Sequence, residues 1–182
     1  MRIFLFIFLI TYLNGWAQLS KDPKAAVMMQ GFWWKSYNDS LVKKEGGLYV
    51  FLKNRAPELS KSGIDMVWTP PPSDGDEMGY FPKELFKFSN LHGTEQELKN
   101  MLRDFKKHRL HAMADVIFNH RNGSKEWADF TNPYWDCSTI VEDDEIKSVP
   151  GQLVPCSGEN DEGEGFTGAR DVNHKKIVLQ KT

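Results

Sequence analysis

Short apolar runs alternate with segments of helical periodicity along this chain, and this alternation restricts its fold more than any other feature. The first apolar run, residues 25–31, precedes a helical pattern over residues 41–62. A second run, residues 64–68, stops at the three prolines 70–72, which cannot continue a strand ladder. The third run extends from Ala112 to Phe118. This order of strands and helices predicts an α/β fold with a parallel sheet.

The helix before the third strand has the clearest boundaries. Thr94 and Glu97 have the spacing of a capping box at its start. Its apolar positions recur at i, i+3, i+4 and i+7, namely Leu98, Met101, Leu102 and Phe105. Basic residues at 106–109 suit the negative end of the helix dipole. Residues 73–93, which precede this helix, are predicted to be a long loop.

Parallel strands of such units end at one rim of the sheet, where α/β proteins place their sites. The predicted rim consists of residues 32–34, 69–74 and 119–121. Asn119 offers a carbonyl oxygen, and the imidazole of His120 titrates near neutral pH. The alternatives are structural, with Asn119 capping a turn and His120 making an ordinary hydrogen bond.

The first 17 residues have the pattern of a signal peptide. Arg2 is followed by an apolar run over residues 3–13, too short to cross a bilayer, and by small residues at positions 15 and 17. This predicts a secreted or periplasmic protein; the alternative is a buried N-terminal strand or helix. The net charge of −2 gives no indication of a nucleic-acid partner, or of a membrane partner after signal removal.

Residues 122–170 are rich in Gly, Pro, Asn, Asp and Glu and show no helical period, which predicts a loop-rich insertion after the third strand. Cys137 and Cys156 both lie in it, and an even cysteine count in an exported chain favours a disulfide. Zinc is a weaker alternative because no Cys-x-x-Cys pair is present. The tail, from residue 172 to 182, has the pattern of a beginning helix.

Several segments together resemble the α-amylase family of glycoside hydrolases, in its secreted, plant-like and bacterial subgroup. The resemblance covers roughly residues 25–182, and its specificity comes from the order and spacing of the segments. These segments are Met29-Gln-Gly-Phe-Trp-Trp34, Trp68-Thr-Pro-Pro-Pro-Ser73, Gly79-Tyr-Phe-Pro82, Leu85-Phe86, Gly93-Thr94, Asp115-Val-Ile-Phe-Asn-His120 and Asp171-Val-Asn-His174.

The resemblance implies the N-terminal part of a (β/α)8 TIM barrel. About three βα units would occupy residues 18–121, after the signal peptide of residues 1–17. An inserted, calcium-associated domain, similar to domain B of the family, would occupy residues 122–170. Residues 171–182 would return to the barrel.

The resemblance also implies roles for individual residues. Substrate-binding roles fall on Tyr80, whose ring would lie beneath the sugar, on His120, which would hydrogen-bond it, and on Trp34. Asp115 would support the site, as a carboxylate placed inside the third strand. Calcium ligands would be Asn119 and Asp171, with further ligands expected in residues 159–164. The chain departs from the family at Arg170, where proline is usual, and at Gly165, where a carboxylate is frequent.

A retaining glycosidase needs a nucleophile and a general acid/base about 5–5.5 Å apart. In the family these carboxylates follow later strands, so they are expected beyond residue 182, and no residue of this chain is assigned a catalytic role. The expected activity is hydrolysis of α-1,4-glucosidic bonds in glucans, with the 182-residue chain inactive alone as a fragment. The alternatives are a family enzyme of other specificity, or a non-catalytic sugar-binding protein. The second would bind its sugar through Trp33, Trp34, Tyr80 and His120.

Overall fold

The computed structural model describes residues 25–123, 129–141, 159–160 and 169–177. The strands are β1 (Met28–Gln30), β2 (Met66–Thr69), β3 (Asp74–Asp76), β4 (Phe81–Glu84), β5 (His111–Ala114), β6 (His120–Arg121) and β7 (Arg170–Asp171). The helices are α1 (Ser40–Lys44), α2 (Leu48–Lys61), α3 (Glu95–Lys107) and α4 (His174–Ile177). Short 3-10 turns occupy Ser36–Asn38, Glu77–Gly79 and Cys137–Thr139.

A parallel sheet of three strands, in the order β1-β2-β5, forms the centre of the fold. Met66 of β2 lies opposite Met28 of β1 on one side and His111 of β5 on the other. Helices α2 and α3 pack together, and their apolar residues form one core with the sheet. The fully buried members of this core include Val42, Leu48, Ala56, Val67 and Met101. The predicted parallel α/β arrangement is confirmed.

The helical pattern over residues 41–62 corresponds to two helices rather than one. Gly46 and Gly47 interrupt it with φ angles of +99° and +109°, a left-handed backbone that glycine adopts most readily. The carboxylate of Asp39 caps α1 by accepting from the backbone N–H groups of Leu41 and Val42. The apolar spacing continued across this break, so periodicity alone did not reveal it.

The capping box at the start of α3 is confirmed. The Thr94 hydroxyl accepts from the N–H of Glu97, and the Glu97 carboxylate accepts from the N–H of Thr94 at 2.7 Å. Met101 and Phe105 are buried as predicted, but Leu102 is 41% exposed. Leu102 lies one residue, about 100° around the helix, beyond Met101, which turns it away from the sheet.

The predicted loop at residues 73–93 contains an antiparallel hairpin of β3 and β4. These strands carry acidic residues and a proline instead of alternating apolar residues, so they gave no strand signal. The Lys87 ammonium joins them by salt bridges to Asp74 and Glu84, at 2.9 and 2.8 Å. Gly75 permits the close approach, since a Cβ there would lie 2.4 Å from the carbonyl oxygen of Phe81.

The third strand is shorter than predicted, because β5 ends at Ala114 and Asp115 lies just beyond it. The Asp115 N–H still donates to the Thr69 carbonyl at 3.0 Å. After Thr69 the partner strand β2 runs into prolines, so residues 116–118 have no ladder to continue. Phe118 is 73% exposed as a result.

The segments that contain β6 and β7 lie near the carboxyl end of β5. Strands β6 and β7 pair in antiparallel fashion, and the Val172 N–H donates to the Asn119 carbonyl at 2.9 Å. A second apolar cluster includes Phe130, Trp135 and Ile140. Among the helices that the structure describes, none is long and apolar enough to cross a membrane.

Several predictions fall outside the described residues. These are the signal peptide at residues 1–17, Cys156, Gly165, the acidic residues 161–164, most of the insertion at 122–170, and residues 178–182.

Candidate functional site

Tyr80 and Asp115 meet beside the carboxyl end of β5. Tyr80 follows the 3-10 turn in the segment after β2, and Asp115 follows β5 directly. The Tyr80 hydroxyl donates to Oδ2 of Asp115 at 2.8 Å. Burial first, and then the hydrogen bond to the carboxylate, raises the pKa of Tyr80 to about 12. The phenol is therefore a neutral donor at ordinary pH, and its hydrogen bond fixes the Asp115 carboxylate.

The ring of His120 is held beside Tyr80. Its Nε2 lies 2.8 Å from the backbone carbonyl oxygen of Tyr80. A carbonyl only accepts, so Nε2 carries the hydrogen in this bond. The imidazole also packs against Phe81, with ring centroids 5.7 Å apart. These contacts help to set the orientation of a side chain that the sequence placed on the rim.

Trp34 completes this group from the segment after β1. Its ring stacks on that of Tyr80, with centroids 6.0 Å apart and planes 28° apart, and it is 58% exposed. Trp33 points elsewhere and makes an edge contact with Phe51. Trp34 and Tyr80, named here the aromatic platform, offer exposed ring surface beside a carboxylate and an imidazole.

A cavity of about 420 Å³ lies beside Asp115 and His120, the two residues that are hydrogen-bonded to Tyr80. Asp115 and His120 line it together with mostly apolar side chains, including Leu85, Phe118 and Trp135. The cavity can exclude water from the hydrogen bonds at its edge, which strengthens them.

Asn119 and Asp171, the two predicted calcium ligands, are in direct contact across 52 residues of sequence. The Asn119 Nδ2 donates to Oδ1 of Asp171 at 3.0 Å, and the pairing of β6 with β7 sets this position. A half-turn of the amide would place its oxygen beside the carboxylate, so both groups can face one cation. Oxygen ligands of this kind suit calcium, which takes six to eight of them. These two residues therefore fit part of a calcium site.

Further calcium ligands do not emerge from the residues that the structure describes. No group of three or more His, Cys, Asp or Glu side chains is arranged there to hold a metal ion. Glu159, part of the stretch in which more ligands were expected, forms a salt bridge with Lys175 at 2.9 Å.

Arg121 is a site residue to which sequence reasoning assigned no role. Its side chain is 1% exposed, and its guanidinium donates to the carbonyl oxygens of Lys83, Thr131 and Pro133. The same group lies over the rings of Phe130 and Trp135, at 5.0 and 4.5 Å. Burial lowers the pKa of Arg121 to about 10. It joins the β3–β4 hairpin to residues 130–135, and nothing local in the sequence signals that an arginine here is buried.

Asn90 and His92 were also missed, since they lie in the segment predicted to be a loop. The Asn90 amide donates to the Pro72 carbonyl at 2.8 Å, and its oxygen accepts from the His92 N–H at 2.8 Å. The Nε2 of His92 lies 3.1 Å from the carbonyl oxygen of Met78. These short-range polar contacts hold the segment between β2 and α3 against the core.

The structure therefore gathers the predicted site residues into two groups. The first group consists of Trp34, Tyr80, Asp115 and His120. The second group is the pair of Asn119 and Asp171, and Asn119 directly precedes His120 in the sequence. Of the two cysteines, Cys137 is disulfide-bonded, and Cys156 lies outside the described residues.

Comparisons with known proteins bear on the family of this chain. The family "Alpha amylase, catalytic domain" matches residues 33–144. The probable alpha-amylase 2 of Arabidopsis thaliana is 29% identical over 157 residues, which cover 85% of this chain and 35% of that protein. The chloroplastic alpha-amylase 3 of the same plant is 30% identical over 162 residues, 85% of this chain and 17% of that protein.

Among solved structures, a noncanonic maltogenic alpha-amylase from Thermotoga neapolitana has a TM-score of 0.45 and 19% identity, covering 55% of this chain and 25% of that one. This chain thus spans about a third or less of the curated relatives above. The family match spans β2, β5, Tyr80 and Asp115. The expected fold class, the first βα units of a (β/α)8 barrel, is confirmed. The chain belongs to the alpha-amylase catalytic-domain family.

Proposed function

We propose that this chain supplies the sugar-holding side of a retaining glycosidase that hydrolyses α-1,4-glucosidic bonds in starch-like glucans. The observation that supports this most is the aromatic platform, with Tyr80 bonded to Asp115 and stacked on Trp34. Family membership gives the reaction class, and the platform gives the surface on which a glucose unit would rest.

The exposed face of the platform suits a pyranose ring. The axial C–H groups of a sugar pack on the electron-rich faces of aromatic rings. His120, fixed beside Tyr80, would hydrogen-bond a hydroxyl of the same sugar. Asp115 is already bonded to the Tyr80 phenol, which suits a positioning carboxylate rather than a nucleophile.

The bond-breaking step requires two further carboxylates, and we assign neither to the 182 residues of this chain. Asn119 and Asp171 would hold calcium, which in this role is a structural ion that ties the return strand β7 to the end of β5. The apolar residues 3–13 support export of the protein, hence a secreted or periplasmic location.

Binding of maltohexaose by the 182-residue chain tests the sugar-holding role. One aromatic platform with a few hydrogen bonds gives an expected Kd of about 1 mM, measurable by saturation-transfer NMR or tryptophan fluorescence. Tyr80→Ala and Trp34→Ala should each abolish binding. Trp33→Ala is the matched control, because Trp33 is 44% exposed but contacts Phe51 instead of Tyr80.

Isomaltohexaose and cellohexaose, measured in parallel, test the α-1,4 preference. Equal or tighter binding of either one would contradict the proposed substrate. The reaction itself is tested by expressing the complete reading frame that contains these residues and following reducing ends released from starch. The proposal expects the α-anomer to be released first; binding without release would favour the non-catalytic alternative.

A further inference from the structure

The turn that presents Tyr80 is conformationally strained. Its residues Glu77, Met78 and Gly79 have φ angles of +45°, +65° and +93°. A left-handed backbone costs a non-glycine residue roughly 1–2 kcal/mol, so the surrounding contacts must hold this turn. Position 79 favours glycine, since a Cβ there would lie 2.9 Å from the Cβ of Pro71.

Met78 lies at the centre of those contacts and is 1% exposed. Its sulfur accepts from the backbone N–H of Lys35 at 2.8 Å, and Lys35 itself has a φ angle of +60°. Lys35 follows Trp34 directly, and Met78 precedes Tyr80 by two residues. Met78 therefore connects the backbone segments that carry the two rings of the platform.

The carbonyl of Met78 is held by a buried histidine. His92 is 1% exposed, and its Nε2 must donate, because the carbonyl oxygen at 3.1 Å only accepts. Its Nδ1 is buried and makes no hydrogen bond to the described part of the chain. The rings of Tyr37 and Tyr49 flank it at 6.4 and 6.1 Å. This environment favours the neutral tautomer with hydrogen on Nε2.

The backbone of His92 is fixed as well. Its N–H donates to the Asn90 side chain at 2.8 Å, and its carbonyl accepts from the N–H of Tyr49 at 3.2 Å. Tyr49 lies in the first turn of α2, within the main core. A helix packed into the main core thus fixes the backbone of His92.

We propose that neutral His92 is a positioning residue for glucan binding, because its Nε2–H bond to Met78 keeps the Trp34–Tyr80 platform assembled. The proposal rests on the sugar-holding role proposed above. His92 itself does not contact the sugar. Without its hydrogen bond the turn at residues 77–79 relaxes, and Tyr80 loses both its stacking on Trp34 and its bond to Asp115.

Two substitutions separate the hydrogen bond from the bulk of the ring. His92→Leu keeps an apolar side chain but removes the donor, whereas His92→Gln keeps an amide donor at a similar reach. His108→Leu, at the C-terminal end of α3, is the matched control. Loss of one such bond is worth about 1–1.5 kcal/mol, so maltohexaose should bind His92→Leu about tenfold more weakly. His92→Gln should bind within about threefold of the original chain.

Hydrogen exchange at the amides of residues 77–81 is the second readout, and it needs no sugar. Exchange there should accelerate in His92→Leu, return towards the original rate in His92→Gln, and stay unchanged in His108→Leu. If His92→Leu does not fold, His92→Asn replaces it, because the shorter amide cannot reach the Met78 carbonyl.

The outcomes are distinct. If hydrogen exchange at residues 77–81 is unchanged in His92→Leu or His92→Asn, the positioning role is wrong. It is also wrong if exchange in His92→Gln is as fast as in His92→Leu. If the original chain binds no maltohexaose, the proposed function fails, while the exchange measurements still decide whether His92 holds the turn.

Discussion

Replacing Arg121 with methionine should remove a buried connection between the β3–β4 hairpin and residues 130–135. The guanidinium makes four hydrogen bonds to three backbone carbonyls, at 3.0 and 2.8 Å to Lys83, 3.0 Å to Pro133 and 2.5 Å to Thr131. Methionine has a similar length and can still contact the rings of Phe130 and Trp135. The substitution therefore isolates the charge and its hydrogen bonds from simple packing.

The expected loss of unfolding free energy follows from these contacts. Four hydrogen bonds from a charged donor contribute about 1.5–3 kcal/mol each, hence about 6–12 kcal/mol in total. Several kcal/mol are recovered because methionine brings no charge that must be stripped of water. The net loss of unfolding free energy should be about 3–5 kcal/mol, because three buried carbonyl groups lose their hydrogen-bond donor.

Urea unfolding followed by tryptophan fluorescence measures this loss. With a slope of about 2 kcal/mol per molar urea, the midpoint should fall by roughly 1.5–2.5 M. Arg103→Met is the control, because Arg103 lies exposed on α3, where substitutions change stability by about 0.5 kcal/mol or less. Equal midpoints for the Arg121 and Arg103 variants would show that the buried guanidinium stabilises nothing and would refute this reasoning.

Three further predictions concern pH, calcium and capping. Burial lowers the pKa of His92 below its ordinary value of 6.5, so the unfolded chain takes up a proton first as pH falls. Stability should therefore decrease below about pH 6.5, and His92→Gln should show a smaller decrease between pH 7.5 and 5 in urea unfolding. Calcium at about 100 times its Kd should raise the free energy of unfolding by about 2.7 kcal/mol, measured by thermal melts. The Asp171→Asn variant should lose most of this gain. If EDTA does not change the melting temperature of the original chain, the calcium assignment is wrong. Thr94→Ala should lower the free energy of unfolding by about 1 kcal/mol in urea unfolding, because it removes the N-cap of α3. Thr94→Ser keeps the hydroxyl and should unfold at the same urea concentration as the original chain.

Local signals in the sequence were sufficient for the elements that depend on neighbouring residues. The capping box of Thr94 and Glu97 and the stop of β2 before Pro70 both act within a few residues of the chain. The hairpin of β3 and β4 was missed because salt bridges and a close backbone contact at Gly75 stabilise it instead of an apolar pattern. The prediction that Leu102 is buried was wrong. Apolar spacing defines a stripe along a helix, but it does not show how wide a face of the helix the rest of the protein covers.

The sequence by itself determined that strands and helices alternate, that the central strands are parallel, and that β2 stops before Pro70. Apolar spacing, helix caps and prolines carry that information locally. Only the tertiary structure decided that Tyr80 donates to Asp115, that the buried Arg121 donates to backbone carbonyls, and that His92 lies within hydrogen-bond distance of the Met78 carbonyl. These contacts join residues 35, 38 and 14 positions apart, and their geometry is set by how the segments between them fold. No local sequence pattern predicts which residues so far apart make hydrogen bonds. These contacts at the rim form only when the strands lie side by side.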